Sequence, residues 1–483
     1  MNMRPTFVDR PVAWLPVVAL AALSACGTGP AYQRPSVAAP AAFKEAPSAD
    51  ATWFPAAPAD ALDRGPWWQL FGDPAVNALV ERVEVSNQNV AAAVAAYAQA
   101  QALVRQERAA LFPSLALDAS ATRSGGATSL GRSSSQQLDL AASWEPDIWG
   151  QLRLGVTSAQ ASAQASAANL AAARLSAQAA LATDYFALRE ADNEIALLTA
   201  AVAAYERALR ITQNQYNASI AQRTDVLQAQ TQLETTRANL TAMVAQRAVL
   251  EHAIALLVGK APAEFGIPVA AWDAKVPAVP LVVPSSLLQR RPDIAAAERA
   301  VAAANAQIGI QRAAYFPSLS LSASYGGAGS SLPSLFRASS NVWSLGLSAA
   351  QTLFDAGATA ARVEGARAAR DVAVANYRQV VLSAFQAVED QLTTIRSLAE
   401  QEGQRRAASA DADRTEQLTL NQYLQGQVPY TSVVIAQVTA LSARQTLSQL
   451  MSSRQAAAIA LIQAMGGGWH APEAPDTAAS ASR

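Results

Sequence analysis

Four short stretches of the chain alternate apolar residues with small or polar ones, and they occur as two pairs. They are residues 115–122, 137–144, 319–325 and 343–349. Alternation over about eight to ten residues is typical of strands that cross a membrane in a barrel, with one face toward lipid and the other toward water. We therefore predict two strand hairpins, at residues 114–145 and 318–352.

Aromatic residues and flexible tips mark the ends of these predicted strands. Trp144, Tyr325 and Trp343 lie near strand ends, where an interfacial aromatic girdle would place them. The segments between paired strands, residues 124–135 and 326–340, are rich in Gly and Ser. Such segments suit exposed hairpin tips.

Long helices follow each predicted hairpin. The residues between Gly155 and Gly259 include no Gly or Pro, and Thr224–Asp225 offers a fresh helix N-cap after a turn near residue 218. The first helix then has about 65 residues and measures roughly 100 Å. In the second half of the chain we predict a helix of equal length over residues 359–424. A turn with Gly and Pro follows, and the next helix has its cap at Thr431 or Ser432. Helices of this length predict a coiled-coil tube.

The two halves of the chain read as one duplicated unit. Residues 109–115 (AALFPSL) recur as residues 313–319 (AAYFPSL), about 204 residues later. From this repeat we predict how the chain divides into segments. The segments are an extended N-terminal segment (26–66), a first repeat (67–258), a proline-rich linker (259–286), a second repeat (287–465) and a flexible tail (466–483).

Four strands are too few to close a membrane barrel, and unpaired strand edges are not tolerated in hydrocarbon. The chain must therefore oligomerise. Two, three or four copies would give eight, twelve or sixteen strands, and the strand pattern does not choose among them.

The single cysteine, Cys26, ends a targeting segment. Residues 1–25 have a basic start and an apolar stretch of about a dozen residues, too short for a permanent transmembrane helix. Leu23-Ser24-Ala25-Cys26 resembles a bacterial lipobox, in which the cysteine thiol receives a diacylglycerol and cleavage leaves the acylated cysteine as the N-terminus. The alternative is an ordinary secretory signal with a chance cysteine. Gly27 follows where inner-membrane lipoproteins commonly carry Asp, which favours delivery to the outer membrane.

Composition argues against several other classes of protein. The formal net charge is −1 and only 15% of residues are charged, so nucleic acid is not an expected partner. The only histidines, His252 and His470, are far apart and have no companion motif. We therefore expect neither an enzyme nor a metal site, and no cofactor apart from the covalent lipid on Cys26.

Several motifs are shared with a known family. They are residues 67–74 (WWQLFGDP), 144–150 (WEPDIWG), 291–294 (RPDI), 297–299 (AER), 303–309 (AANAQIG) and 316–319 (FPSL). In order and spacing the chain resembles the outer membrane factor (TolC-like) family, and most closely its NodT-type lipoprotein branch, over residues 32–468. The resemblance implies a mixed α+β fold: a homotrimer whose twelve-stranded transmembrane barrel continues into a periplasmic α-helical tunnel. It also implies a periplasmic adaptor and an RND-type inner-membrane pump as partners, with export of drugs or other toxic solutes.

The resemblance also places a closed gate at the periplasmic helix turns. Asp225 occupies the family's gate-aspartate position with Arg223 beside it, and Tyr423 matches a gate tyrosine. We expect Tyr430 to join this latch. Where the family often has acidic constriction residues, this chain has Ser432 and Ile435. That departure argues against a strongly cation-selective acidic ring. A simpler interpretation of Asp225 is a helix N-cap.

Two other functions compete with efflux. The same duct could serve a type I protein-secretion system, because the pump determines the cargo. A lipid-anchored coiled-coil spacer without a pore would explain the helices, but not the four alternating strands.

Overall fold

The computed structural model describes residues 29–45, 66–125, 133–277 and 290–467. Cys26, the predicted signal segment 1–25 and the tail after Gly467 lie outside the described residues, as do parts of the predicted N-terminal segment, first hairpin tip and linker. The chain divides into two compact units. One comprises Met1–Ser36, Ala96–Ala167 and Ala296–Gln379, and the other comprises Val37–Ala95, Ala168–Ala295 and Val380–Arg483. Each unit therefore takes residues from both predicted repeats.

Helices make up most of the described chain, and their lengths recur in its two halves. The main helices are α1 (Pro74–Ser86), α2 (Gln88–Ala109), α3 (Gln151–Asn217), α4 (Arg223–Leu257), α5 (Pro292–Ala313), α6 (Ala358–Leu424) and α7 (Tyr430–Ala464). Short helical turns occur at Trp67–Phe71, Pro262–Glu264, Leu332–Leu335 and Ala338–Ser340. Both α2 and α5 have 22 residues, both α3 and α6 have 67, and both α4 and α7 have 35.

Two helix starts differ from the sequence prediction. Helix α4 begins at Arg223 with Gln222 as its N-cap, and Asp225 lies at the third helical position in a capping box with Gln222. Helix α7 begins directly after Pro429, which has extended backbone angles and no side-chain cap. Proline has no side-chain oxygen, so this helix start lacks a side-chain cap. Thr431 and Ser432 therefore lie inside the first turn and do not cap it.

The four strands form one antiparallel sheet in the order β1-β2-β3-β4. They are β1 (Ser114–Ser124), β2 (Ser133–Trp144), β3 (Ser318–Gly329) and β4 (Asn341–Ala350). All four lie within the predicted hairpin ranges. Pairing between β2 and β3 joins the two hairpins, so β1 and β4 are the edges of the sheet.

Strand β3 is longer than its pattern predicted. Gly326–Gly329 continue the strand opposite Gln136–Asp139, so Tyr325 lies inside β3 and not near its end. A Cβ at Gly326 would collide with the backbone of β2. These glycines allow the backbones of β2 and β3 to approach closely. In the sequence, the same glycines had indicated a flexible hairpin tip.

Aspartates fix the return from strand to helix in both halves. The Asp147 carboxylate accepts hydrogen bonds from the backbone N–H groups of Leu152 and Arg153, at 3.0 and 2.9 Å. Asp355 accepts from the backbone of Thr359 at 2.8 Å and also from its hydroxyl. These hydrogen bonds hold the pKa of the Asp355 carboxyl below its ordinary value. Each aspartate thus satisfies N–H groups that a helix start leaves unpaired.

The second unit has a conventional apolar core. Trp67, Trp68 and Phe71 are buried in one cluster with residues of α1, α3, α4 and α7. An arginine of α4 holds the proline-rich segment that follows α4 against this unit. Arg247 binds Asp192 at 2.6 Å and the carbonyl of Ile267 at 2.7 Å. A buried ion pair with backbone partners fixes position more than it adds stability.

The RPDI motif closes the same unit. Arg291 binds the Asp293 carboxylate through two hydrogen bonds, at 3.1 and 2.7 Å. Its third hydrogen bond, at 2.7 Å, reaches the carbonyl oxygen of Ala464 at the end of α7. A cation at a helix C-terminus satisfies an otherwise unpaired carbonyl and complements the helix dipole. The motif therefore joins the start of α5 to the end of α7.

Helix α4 is the one helix of the described residues that is long and apolar enough to cross a membrane by length and composition. Arg237 of α4 binds Glu206 of α3 at 2.8 Å, and Arg247 binds Asp192 of α3. Ion pairs with a neighbouring helix suit a helix packed in an aqueous bundle better than one in lipid.

Two carboxyl groups share a buried position where α3 packs against α7. Glu194 is 4% exposed and Glu190 lies one turn before it. Ser448 donates to Glu190 at 3.0 Å and Gln445 donates to Glu194 at 2.8 Å. Burial, with a smaller contribution from Glu194, raises the pKa of the Glu190 carboxyl from 4.5 to about 7. The pair therefore holds a shared proton at mildly acidic pH.

This proton makes stability depend on pH. Because the folded pKa of Glu190 exceeds its unfolded value, its contribution is complete below pH 4.5 and is lost as the pH rises to about 7. Glu190→Gln cannot ionise and can still donate to Glu194. We expect the variant to unfold several degrees above the wild type at about pH 8 and to match it under acid conditions. Thermal unfolding across pH measures this, with exposed Glu81→Gln as control. Parallel profiles for wild type and Glu190→Gln would contradict the shared proton.

Candidate functional site

The first candidate site lies at the two helix turns, where α3 meets α4 and α6 meets α7. The rings of Tyr423 and Tyr430 lie with centroids 5.3 Å apart, inclined at 59°. The Tyr423 hydroxyl donates to the side-chain oxygen of Gln215 on α3. Both turns therefore contribute to one group of side chains, which we call the tip cluster: Tyr423, Tyr430, Gln215, Thr212 and Asp225.

Tyr430 is the anchor of the tip cluster. It is 2% exposed and packs with Ala229 of α4 and Val433 of α7. Burial raises the pKa of its hydroxyl to about 12, and the charges of Tyr423, Tyr205 and Asp225 act in the same direction. Thr212, fully buried on α3, donates its hydroxyl to the Ala208 carbonyl at 2.9 Å, and its interaction with the tyrosine hydroxyl lowers this pKa in part. Tyr430 is therefore a neutral packing residue at physiological pH.

Asp225 has two roles in this arrangement. Its carboxylate accepts from the backbone N–H of Gln222 at 3.4 Å, within the capping box of α4. Its charge also contributes to the raised pKa values of Tyr423 and Tyr430, after burial in both cases. Asp225 is not the N-cap residue, because Gln222 occupies that position and Asp225 is the third residue of the helix. Asp225 nevertheless stabilises the helix start, and its negative charge acts on both tyrosines.

The remaining predicted gate residues lie outside this packing. Arg223 is exposed and makes no ion pair with any described residue. Ser432 is half-buried, with its backbone N–H donating to the carbonyl of Pro429 at 3.0 Å. Ile435, the other departure from the family pattern, is 67% exposed. Within one protomer the structure thus joins Asp225, Tyr423 and Tyr430, and leaves Arg223 and Ile435 facing outward.

Sequence reasoning missed Thr212 and Gln215. Tyr205, Ala208 and Thr212 are all buried on one face of α3, at the spacing of helical turns. The Tyr205 hydroxyl reaches the carbonyl of Gln437 on α7 at 3.4 Å. The spacing of these three residues could have identified Thr212 as a buried residue. Nothing in the sequence, however, indicates that it lies near tyrosines more than 200 positions later.

Ion pairs hold each antiparallel helix pair together behind the tip cluster. Arg444 of α7 binds Asp413 and Glu416 of α6, at 2.7 and 2.9 Å. Arg237 of α4 binds Glu206 of α3 at 2.8 Å and Glu234 of its own helix at 2.9 Å. Partly exposed pairs of this kind contribute about 1 kcal/mol or less each. They align the helices without locking them.

The second candidate site is the sheet, whose two faces differ sharply. One register row crosses all four strands as Leu117, Leu140, Tyr325 and Trp343. These side chains are 70%, 44%, 61% and 76% exposed, so a continuous apolar face lacks cover in the single chain. An exposed apolar surface of this extent marks contact with a membrane or a partner.

The opposite face of the sheet is small and polar. Serine hydroxyls pair across β3 and β4, between Ser320 and Ser348 at 2.7 Å and between Ser324 and Ser344 at 2.8 Å. Asp118 and Asp139 lie directly opposite each other on β1 and β2. Like charges in register are unfavourable unless water screens them, so this face suits an aqueous lumen.

The described residues offer no group of three or more His, Cys, Asp or Glu side chains that could hold a metal ion. His252 lies on an exposed face of α4, and His470 is outside the described residues.

Comparison with known proteins relates this architecture to one family. The sequence matches the outer membrane efflux protein family over residues 79–260 and 283–467. The pyoverdine export outer membrane protein OpmQ of Pseudomonas aeruginosa is 30% identical over 462 residues, covering 92% of this chain and 95% of the relative. The cation efflux system protein CusC of Escherichia coli is 30% identical over 466 residues, covering 95% and 99%. The solved structure of the outer-membrane channel OprN has a TM-score of 0.81 at 28% identity, covering 91% of this chain and 99% of that one.

Proposed function

This chain belongs to the outer membrane efflux protein family and is an outer-membrane efflux channel, and we propose that three copies form a passive duct for drugs or other toxic small molecules. The observation that carries the proposal is the four-stranded sheet with one exposed apolar face and two unpaired edges. Within hydrocarbon such edges must pair with other strands. Two, three or four copies could supply them. We choose the trimer, with a twelve-stranded barrel, because the family resemblance implies it.

We further propose that the chain arose by tandem duplication. The equal lengths of corresponding helices support this, as does the placement of a hairpin before each 67-residue helix. A duplicated unit gives each protomer two hairpins and two long helix pairs. In the proposed trimer, the helices form a periplasmic tunnel continuous with the barrel.

The proposed partners are a periplasmic adaptor and an RND-type inner-membrane pump, which supplies the energy. The duct itself needs no catalytic step. The relatives' names refer to pyoverdine in one case and to cations in the other, so related channels export different small solutes. This favours efflux of small molecules over protein secretion. Screening a deletion strain against antibiotics, dyes and aromatic acids would identify the cargo.

We propose that the tip cluster is the closed gate. Its tyrosines join the α3–α4 turn to the α6–α7 turn, so separating the turns requires breaking this packing. Asp225 stabilises the start of α4 within the same group. Exposed Arg223 is available to a neighbouring protomer's helices, and half-buried Ser432 lies in the first turn of α7.

We propose that Cys26 carries the lipid anchor. Cys26 is three residues before Gly29, so the two lie within about 10 Å along the chain. Gly29 packs against Gly309 of α5, where an added Cβ would lie 2.6 Å from the Gly29 Cα. Asn305 also donates to the Pro30 carbonyl at 2.9 Å. Because α5 leads directly into β3, this packing supports an anchor near the membrane boundary.

The gate proposal predicts a change in conductance. Removing a carboxylate from a helix start costs about 1 kcal/mol, which corresponds to a roughly fivefold change in a two-state population. We therefore expect Asp225→Ala to raise the open fraction of single channels in planar bilayers about fivefold. Asp371→Ala, which removes an exposed carboxylate from α6, is the matched control.

The same recordings test the duct itself. An Asp225→Ala channel that opens no more often than wild type contradicts the role of Asp225 in the gate. Absence of any channel activity from the intact wild-type assembly contradicts the proposed duct and supports the non-pore spacer.

The anchor proposal predicts that Cys26→Ser abolishes acylation, because serine lacks the thiol that receives the diacylglycerol. Intact-mass measurement should show wild type beginning at Cys26 with a lipid-sized addition, and Cys26→Ser without that addition. Ser24→Ala, which keeps the thiol, should remain acylated. If wild type and Cys26→Ser differ only by the oxygen-for-sulfur exchange, Cys26 carries no lipid.

A further inference from the structure

A cavity of about 630 Å³ lies where α5 ends and α6 begins, which we call the junction cavity. Its wall includes Arg312, Tyr315, Phe316, Val363, Glu364 and Arg367. Phe316 is two residues before the start of β3. If β3 crosses the membrane, as the proposed function requires, the junction cavity opens at the membrane boundary on the helical, periplasmic side.

The wall next to the strands is rigid. The Phe316 ring stacks on Trp149 with centroids 4.8 Å apart and planes inclined at 21°. The Trp149 indole N–H donates to the carbonyl of Pro317 at 2.8 Å. Gln351 also donates to the carbonyl of Tyr315 at 3.2 Å. These contacts fix the backbone from Tyr315 to Pro317, on the side of the cavity next to the strands.

Two arginines in the wall have no side-chain partner among the residues that the structure describes. Neither Arg312 nor Arg367 makes an ion pair or hydrogen bond through its side chain to another residue of the described parts of the chain. Glu364 is also in the wall and is likewise unpaired, which leaves the cavity with one net positive charge. A guanidinium group binds phosphate oxygens in pairs, and its planar fork suits them better than an ammonium group does.

Apolar side chains continue from the sheet to the edge of this region. Leu347, on the apolar face of β4, is 70% exposed. Leu353 and Phe354, in the segment that joins β4 to α6, are 91% and 88% exposed. The segment that leads into α6 thus exposes large apolar side chains a few residues before the cavity's α6 wall. Apolar, arginine and tyrosine side chains form the mixture found where proteins contact lipid headgroups.

We propose that the junction cavity binds the phosphate headgroup of an anionic glycerophospholipid from the periplasmic leaflet. Arg312 and Arg367 bind the phosphate, Phe316 and Val363 contact the glycerol, and Leu353 and Phe354 contact the acyl chains. The proposal rests on the proposed function, because it requires the sheet to lie in the outer membrane. The lipid would be a second attachment to the membrane, independent of Cys26.

The test uses the intact detergent-solubilised assembly, with bound lipid counted by native mass spectrometry. The protein is titrated with phosphatidylglycerol and, separately, with phosphatidylcholine. The variant is Arg312→Gln/Arg367→Gln. The matched control is Arg405→Gln/Arg414→Gln, which removes the same charge from exposed positions on α6 about 55 Å or more further along the helix.

We expect wild type and control to retain phosphatidylglycerol in preference to phosphatidylcholine. The double variant should bind phosphatidylglycerol about 25-fold more weakly, because each arginine near an anionic lipid contributes a roughly fivefold factor. Excess inorganic phosphate should not displace the lipid. Equal phosphatidylglycerol binding by variant and wild type overturns the proposal, and so does full displacement by inorganic phosphate, which would indicate a free-anion site.

Channel recordings in neutral phosphatidylcholine bilayers separate this proposal from the duct. A variant that conducts like wild type, with unchanged phosphatidylglycerol binding, contradicts the lipid site and leaves the duct intact. A wild-type assembly that forms no channel contradicts the duct, and the lipid site with it.

Discussion

The outer edges of β1 and β4 set the main constraint on this molecule. Pairing within the chain satisfies the backbone groups between β1 and β2, β2 and β3, and β3 and β4. The outward N–H and C=O groups of the two edge strands have no such strand partner in the described parts of the chain. In water an edge can be solvated or protected by charge. In hydrocarbon each unpaired group costs several kcal/mol, so only closure with other strands is stable. A rotational arrangement in which β4 of one copy pairs with β1 of the next closes without leaving an edge.

Strand alternation then determines both surfaces of the proposed barrel. The row from Leu117 to Trp343 faces one way, and the serine pairs with Asp118 and Asp139 face the other. A register slip of one residue would exchange these faces. The aspartates that begin α3 and α6, Asp147 and Asp355, fix where each hairpin ends, so helix capping at the junctions also protects strand register.

Much of this architecture could be predicted from the sequence, because it depends on local patterns. The period-2 stretches locate the four strands, and the absence of Gly and Pro locates the long helices. The predictions were wrong where local residue type and tertiary packing compete. Gln222 and Pro429 precede the helices that Thr224, Asp225, Thr431 and Ser432 were expected to cap. Gly326–Gly329 form a strand because β2 lies close against them.

The tip cluster shows a different limit. Asp225, Tyr423 and Tyr430 could be identified through family resemblance, but Thr212 and Gln215 join them only because two distant turns meet in the fold. The number of copies is likewise not predictable from the strands. Four strands per chain require a barrel closed by several chains, but they do not fix how many. The mass of the intact assembly, measured by native mass spectrometry after gentle extraction, tests this central claim most directly. If a trimer closes the open strand edges, the measured mass will equal that of three chains. A stable monomer in lipid would contradict closure between chains, and a complex of two or four copies would contradict the twelve-stranded barrel.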